Sequence, residues 1–219
     1  DINCPCGRYV VIGNVVYMQY KKTKDGYVPL ENKNVDTGFG LDRMLAFLNG
    51  LTVGYKTVLF SGAIAYLEKI SGKKYDDGGE AQKAMRIIAD HTRTTVMLIG
   101  DVNGILPSNT GAGYILRRLM RRAIRYCRAL GISSKEMEKV AGIFIDEVYG
   151  EAYPLLPEKK EYILSEIARE TERFESTLEK GMKEFEKTIA GLERKNEFMS
   201  KQDPSYVKET AIGGKAAFK

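Results

Sequence analysis

Cysteine is scarce: Cys4, Cys6 and Cys127 are the three in 219 residues, and two of them sit together in Cys4-Pro-Cys6. Three thiols make neither a disulfide framework nor a four-ligand zinc set, which favours a reducing, cytoplasmic setting. Tryptophan is absent and histidine occurs once, at His91 in ADHTR. With no second histidine, cysteine or carboxylate at metal spacing around it, His91 suits a hydrogen-bonded structural residue better than a base or ligand. No metal site is therefore expected within the chain. The longest apolar runs fall far below the ~20 residues of a membrane span, and no charged-then-apolar leader opens the sequence, so a soluble protein without a membrane partner is expected. An initiator Met and a tapering tail are also missing, and a piece of something longer is expected.

Acidic residues are missing from one stretch in particular. The chain carries 34 Lys and Arg against 29 Asp and Glu, a mild +5, yet no Asp or Glu lies between Tyr114 and Ser134. That stretch belongs to PSNTGAGYILRRLMRRAIRYCR, residues 107–128, a Gly-broken turn leading into a helix with six arginines. At about 100° per residue, Arg117, Arg128, Arg121, Arg125, Arg118 and Arg122 fan across roughly 140° of the helix surface, with Tyr114 among them. Leu116, Leu119, Met120, Ala123, Ile124, Cys127 and Leu130 occupy the other side. A helix with an apolar flank must pack on something, which holds the basic flank still. Planar guanidinium forks in a rigid row suit phosphate oxygens, and a nucleic-acid-binding edge is expected. A solvated charged face is the alternative.

The chain changes character along its length. Residues 8–20, RYVVIGNVVYMQY, are rich in β-branched and aromatic residues and predict a long buried strand. Lys24-Asp25-Gly26 signals a hairpin returning through Tyr27 to Leu30, and a polar link, ENKN, leads to a strand end at Val35–Gly38 and a helix over Leu41–Leu48. From Lys56 onward the periodicity is helical. VLFSGAIAYLEKISG comes first, then a flexible KKYDDGG, then a helix over 80–99 that buries Ala84, Ile88, Thr95 and Ile99. Beyond the arginine helix, Ser134 is a plausible N-cap for a helix over 135–149 with Met137, Val140, Ile143, Phe144 and Val148 facing a core. Pro154 and Pro157 end that segment. Residues 158–196 predict one long amphipathic helix that packs on partner helices, with self-association as a lesser use.

Several residues stand out for chemistry. Asp36 closes an apolar strand beside Gly38 and Gly40, which lack a Cβ and let backbone approach a ligand; its carboxylate can reach an ammonium group. Arg43 begins the next helix and can meet a polyphosphate. The bland alternative makes Asp36 a helix cap and pairs Arg43 with Asp42 or Glu31. Asn14 is an amide between apolar neighbours in its strand and needs partners if buried. Asn109 precedes a helix, where an amide can cap it or read a base edge in a shallow RNA minor groove.

VDTGFGLDR, from Val35 to Arg43, resembles the third class II motif of the alanyl-tRNA synthetases. RIIADHTR, LPSNTGAGYILRRLMRRAIR and FESTLEKG resemble that family's following helical region in the same order. The resemblance covers essentially the whole chain and implies an α+β organisation. Residues 1–58 would be the end of the catalytic domain, part of a class II antiparallel sheet. Residues 59–219 would be a mostly helical, truncated domain that recognises the tRNA acceptor stem. The family uses ATP and Mg²⁺ to activate alanine as alanyl-adenylate, then transfers the alanyl group to tRNA(Ala). On this resemblance Asp36 would hold the alanine ammonium, Asn14 and Gly38 would line the alanine pocket, and Gly40 and Arg43 would serve ATP. Asn109 would read the G·U wobble at the third stem pair, while Tyr114, Arg117, Arg118, Arg121, Arg122 and Arg125 would follow the stem.

The chain departs from the family pattern in three respects. Gly13 stands where many members have Trp; the first and second class II motifs are absent; and so are the editing domain and its zinc-binding cluster. The piece is therefore expected to be inactive in adenylate formation alone, with the catalytic and editing portions on the same protein or a partner subunit. A non-catalytic RNA-binding or scaffolding module of the same fold is the alternative.

Overall fold

Two long strands open the described chain as a single antiparallel hairpin. The structure is a computed structural model that describes residues 9–203, 205–212 and 214. Strand β1, Gly13–Thr23, pairs with β2, Gly26–Phe39, in a register that sets Thr23 opposite Gly26 and Asn14 opposite Gly38. Lys24 and Asp25 make the turn, as Lys-Asp-Gly predicts. The polar ENKN does not interrupt the return strand, because an irregularity between Met18 and Tyr20 absorbs the change of register and β2 runs through it. Nor is β1 buried: Val15, Tyr17 and Tyr20 are exposed, and Tyr17 retains 73% of its accessible surface. Among the described residues the sheet has two strands, so neither face has a layer to cover it. Asn14 accordingly stays exposed and faces no burial cost.

Helix α1, Leu41–Leu48, follows directly, and a 3₁₀ turn at Gly54–Lys56 leads into the helical body. That body comprises α2 (Val58–Ser71), α3 (Gly79–Gly100), α4 (Gly111–Leu130), α5 (Glu136–Ile143), α6 (Leu155–Glu158) and α7 (Lys160–Gln202). One continuous core joins them through Phe60, Leu67, Met85, Ile88, Ile99, Met120, Phe144 and Ile167. The predicted stripe of α3 is buried as expected, at Ala84, Ile88, Thr95 and Ile99. KKYDDGG is ordered rather than flexible. It holds a 3₁₀ turn, Tyr75–Asp77, whose buried Tyr75 ring anchors it; Arg86 Nε donates to the Tyr75 hydroxyl at 2.8 Å and Gln82 Nε2 donates to its carbonyl at 3.0 Å.

Three further expectations give way to packing. Ser134 does not cap α5: its hydroxyl is drawn to Glu175 of α7, and the N-cap is Lys135, which makes no side-chain cap bond. The helix over 135–149 is two pieces, α5 and a π-helical turn at Phe144–Tyr149, and Pro154 is the N-cap of α6 while Pro157 lies within it, both past the end of that segment. Only the first third of α7 is buried in the core. Ile163, Glu166, Ile167, Glu170 and Thr171 are buried, whereas farther along Met182, Phe185 and Phe198 are exposed, with Phe185 at 52%.

Helix α4 has the apolar flank its periodicity predicts. Leu116, Met120, Ala123, Ile124, Cys127 and Leu130 are buried, while Leu119 is half-buried. Burying each of the larger side chains contributes about 1.5–3 kcal/mol. Burial also pushes the Cys127 thiol up to about 12, which leaves almost no reactive thiolate at neutral pH. Native Cys127 should therefore resist iodoacetamide at pH 8 and alkylate once urea unfolds the chain. Peptide mass mapping reads this, and rapid labelling in native buffer would contradict the packing of α4.

Candidate functional site

Strand alternation decides what the open end of the hairpin presents. Directly opposed residues of an antiparallel pair share a face, so Asn14 with Gly38 and Val16 with Asp36 project to one side. A backbone bond from Gly40 N to Ile12 O at 3.0 Å extends the ladder to the start of α1. There a cavity of about 400 Å³ is lined by Asn14, Gly38, Gly40 and Arg43 among others. Asp36 lies on the same face two residues farther along β2 and does not line it. Gly38 matters for close approach: a Cβ there would stand 3.0 Å from Asn14 Oδ1, tighter than ordinary contact. At Gly13 a Cβ would meet the Phe39 ring, so that ring occupies the space beside the glycine.

Arg43 stands on the wall between this cavity and a second, of about 480 Å³, lined by Tyr9, Ala46, Phe47 and Leu51 among others. Its Nη1 donates to the Val11 carbonyl at 2.6 Å, so it pairs with neither Asp42 nor Glu31. Asp36 is a strand residue, and the N-cap of α1 is Gly40, which removes the capping alternative. Asp42 turns the other way and accepts from Arg93 Nη1 of α3, with both carboxylate oxygens at 3.0 Å. The same guanidinium lies 4.4 Å from the centre of the Phe60 ring and reaches Asp90 at 3.4 Å. This ties α1 to the helical body.

His91 lies beside that pair. Its Nδ1 is 3.2 Å from Asp90 Oδ2 while its buried Nε2 has no hydrogen-bond partner, so the expected structural bonding is met on one side of the ring. The bond from His91, with Arg93 nearby, holds the Asp90 carboxyl below the usual carboxylate range. Among the described residues no three His, Cys, Asp or Glu gather as a metal set; Cys4 and Cys6 lie outside those residues.

The arginine helix divides into two groups. Arg118, Arg122, Arg125 and Arg128 are exposed, and Arg118 lies over the Tyr114 ring at 5.7 Å. Arg118, Arg122 and Arg125 recur at helical spacing along one stripe. Arg117 and Arg121 are drawn inward by Glu170 of α7, whose side chain is 3% exposed. Arg121 Nε donates to Glu170 Oε1 at 2.9 Å; Arg117 Nε lies 3.3 Å from that oxygen but is not aligned for a hydrogen bond. The absence of nearby acids in sequence thus does not leave all six arginines free, because a distant helix supplies one. Asn109 is no helix cap. Thr110 holds the N-cap position, and Asn109 Oδ1 instead accepts from Arg117 Nη1.

Glu170 and the Asp42–Arg93 pair lie outside the residues the sequence singles out, because each meets partners distant in the chain. Glu170 had one signal: with Glu166 it falls on the stripe of Ile163, Ile167 and Thr171, and a carboxylate inside an apolar stripe requires a partner.

The chain belongs to the class II tRNA synthetases: the family model described as "tRNA synthetases class II (A)" matches residues 2–210. Among curated proteins it is 43% identical over 197 residues to the alanine–tRNA ligase of Borrelia hermsii, covering 90% of this chain and 33% of that protein. The alanine–tRNA ligase of Treponema pallidum is 42% identical over 187 residues, 85% of this chain and 31% of its own. That of Anaeromyxobacter dehalogenans is 43% identical over 182 residues, 83% and 20% respectively. The chain thus spans a third or less of these relatives. No described helix is long and apolar enough to cross a membrane.

The Asp42–Arg93 pair has a measurable consequence for the joint between hairpin and helices. Asp42→Ala should lower stability in urea unfolding by about 1 kcal/mol, a charge-assisted bond discounted for its partial exposure. An unchanged midpoint and slope would show that the pair contributes nothing.

Proposed function

We propose that this chain is part of an alanine–tRNA ligase, with residues 1–58 completing the catalytic domain and residues 59–219 binding the acceptor stem of tRNA(Ala). The observation that carries this reading is the exposed arginine stripe of α4, on a chain 42–43% identical to alanine–tRNA ligases. In the whole enzyme the alanine carboxylate attacks the α-phosphate of ATP, pyrophosphate leaves, and a ribose hydroxyl of the tRNA then displaces AMP from the alanyl carbonyl.

This chain's share of that chemistry is positioning. Asn14 and Gly38 bound a small pocket in which Gly38 leaves the backbone open to a compact amino acid. Asp36, on the same face, supplies a carboxylate for the ammonium group. Gly40 and Arg43 meet ATP, and Arg43 is anchored at Val11 with the rest of its guanidinium left for phosphate. Mg²⁺ is part of the reaction in this reading. Among the described residues no three His, Cys, Asp or Glu gather to hold it.

Stem binding divides between two groups. Arg118, Arg122 and Arg125, with Tyr114 among them, supply sequence-independent attraction to phosphates. Arg117 and Arg121 border the stem with much of their charge already met by Glu170. Asn109 reads the wobble pair, whose guanine amino group lies in the shallow groove.

A gel shift with acceptor-stem hairpins differing only at the third pair tests this reading. Arg122→Ala should weaken binding to both stems and lower the salt slope by about 1, whereas Asn109→Ala should erode the preference for G·U by about fivefold, the worth of one hydrogen bond. An unchanged ratio in Asn109→Ala would remove its role. In the complete enzyme, Asp36→Ala should abolish most ATP–pyrophosphate exchange with alanine; a normal rate would reassign the ammonium contact.

A further inference from the structure

The turn ahead of α4 is held from beneath by a chain of side chains that begins on α7. Pro107 to Thr110 is exposed or half-exposed, yet it is not free to wander. Ser108 N donates to Gly113 O at 3.0 Å, and Ser108 Oγ donates to Thr110 O at 2.8 Å. Gly113 is pressed so closely under Leu106 and Ser108 that a Cβ would overlap both. A further restraint is Arg117, whose Nη2 donates to Pro107 O at 3.1 Å and whose Nη1 donates to Asn109 Oδ1. A guanidinium fixes a loop only if it is itself fixed. The Arg117 side chain is 11% exposed, and the charge facing its Nε belongs to Glu170. Glu170 is held in turn by Arg121 Nε at 2.9 Å, with Arg173 at 3.9 Å.

We propose that Glu170 is a positioning residue for stem recognition: through Arg117 it fixes the Pro107–Asn109 turn so that the Asn109 amide is presented in one orientation. The proposal rests on the reading of Asn109 given above. It assigns the buried carboxylate a task that plain burial does not explain, since a carboxylate with three arginines around it costs desolvation that an apolar residue would avoid. It also explains why Arg117 faces inward rather than toward phosphate. Glu170 thereby lowers the positive charge available to any stem and in return holds the selective contact in place.

Glu170→Gln in the 219-residue chain separates this role from simple structural support. The variant keeps the shape and removes the charge. Amide hydrogen exchange at Ser108 and Thr110, whose N–H groups are bonded within the turn, should quicken about tenfold, while buried α3 amides keep their protection. Binding to a Watson–Crick stem should hold or strengthen, because a negative charge beneath the arginines is gone, and the G·U preference should fall to the level of Asn109→Ala. Adding Glu170→Gln to Asn109→Ala should change that ratio no further. A structural role alone would weaken both stems together. Unchanged exchange in the turn, or a full G·U preference in Glu170→Gln beside a lost one in Asn109→Ala, overturns the proposal. An unchanged preference in Asn109→Ala instead removes the reading of Asn109, and the exchange data then still decide whether Glu170 holds the turn. If Glu170→Gln fails to fold, Arg117→Lys keeps the Glu170 charge and removes the fork. It should quicken the same amides, and protection equal to the parent chain would overturn the proposal.

Discussion

The burial of one flank of α4 governs much of what this protein presents. Leu116, Met120, Ala123, Ile124, Cys127 and Leu130 lock the helix into the core beside α3 and the start of α7, leaving it no freedom to roll. A helix that cannot roll presents its other face in one orientation, and here that face is arginine. The apolar contacts therefore supply the rigidity, and the guanidinium groups supply the charge; without the first, the second would be a diffuse basic surface with little geometric meaning. α7 adds to this by placing a carboxylate against the inner edge of the row, which sorts six similar residues into two groups with different surroundings.

The hairpin poses the opposite problem. Its β-branched and aromatic residues have the composition of a sheet interior, yet both faces stay open. What organises it is the ladder, which carries register from the Lys24–Asp25 turn to the glycines ahead of α1 and brings Asn14 opposite Gly38. The Asp42–Arg93 pair then fixes the hairpin-helix unit to α3. Neighbouring residues on α1 thus face two directions: Asp42 toward the helical body and Arg43 toward the cavities at the hairpin's end.

Local pattern explains which features were legible. The α3 and α4 stripes, the Lys-Asp-Gly turn and the bounds of α1 follow from periodicity and turn chemistry, which act within a few residues. The motifs at 35–43 and 106–125 likewise pointed to the family. Other features depend on partners far away in sequence. Ser134 reads as a cap until Glu175, on a different helix, takes its hydroxyl. KKYDDGG reads as flexible until Tyr75 finds a buried seat, and ENKN reads as a link although β2 runs through it, with Asn34 paired to Met18.

By itself, then, the sequence determined the α+β order of the chain, the amphipathic character of α4 and the run from Asp36 through Gly38 and Gly40 to Arg43, because each depends on spacing along the backbone. Tertiary structure alone decided which arginines are free, where Asn109 points and that Glu170 stands beneath them. Glu170 and Arg121 are 49 residues apart, and no local pattern records which two helix faces will meet; that depends on how the apolar stripes of α3, α4 and α7 close over a common core.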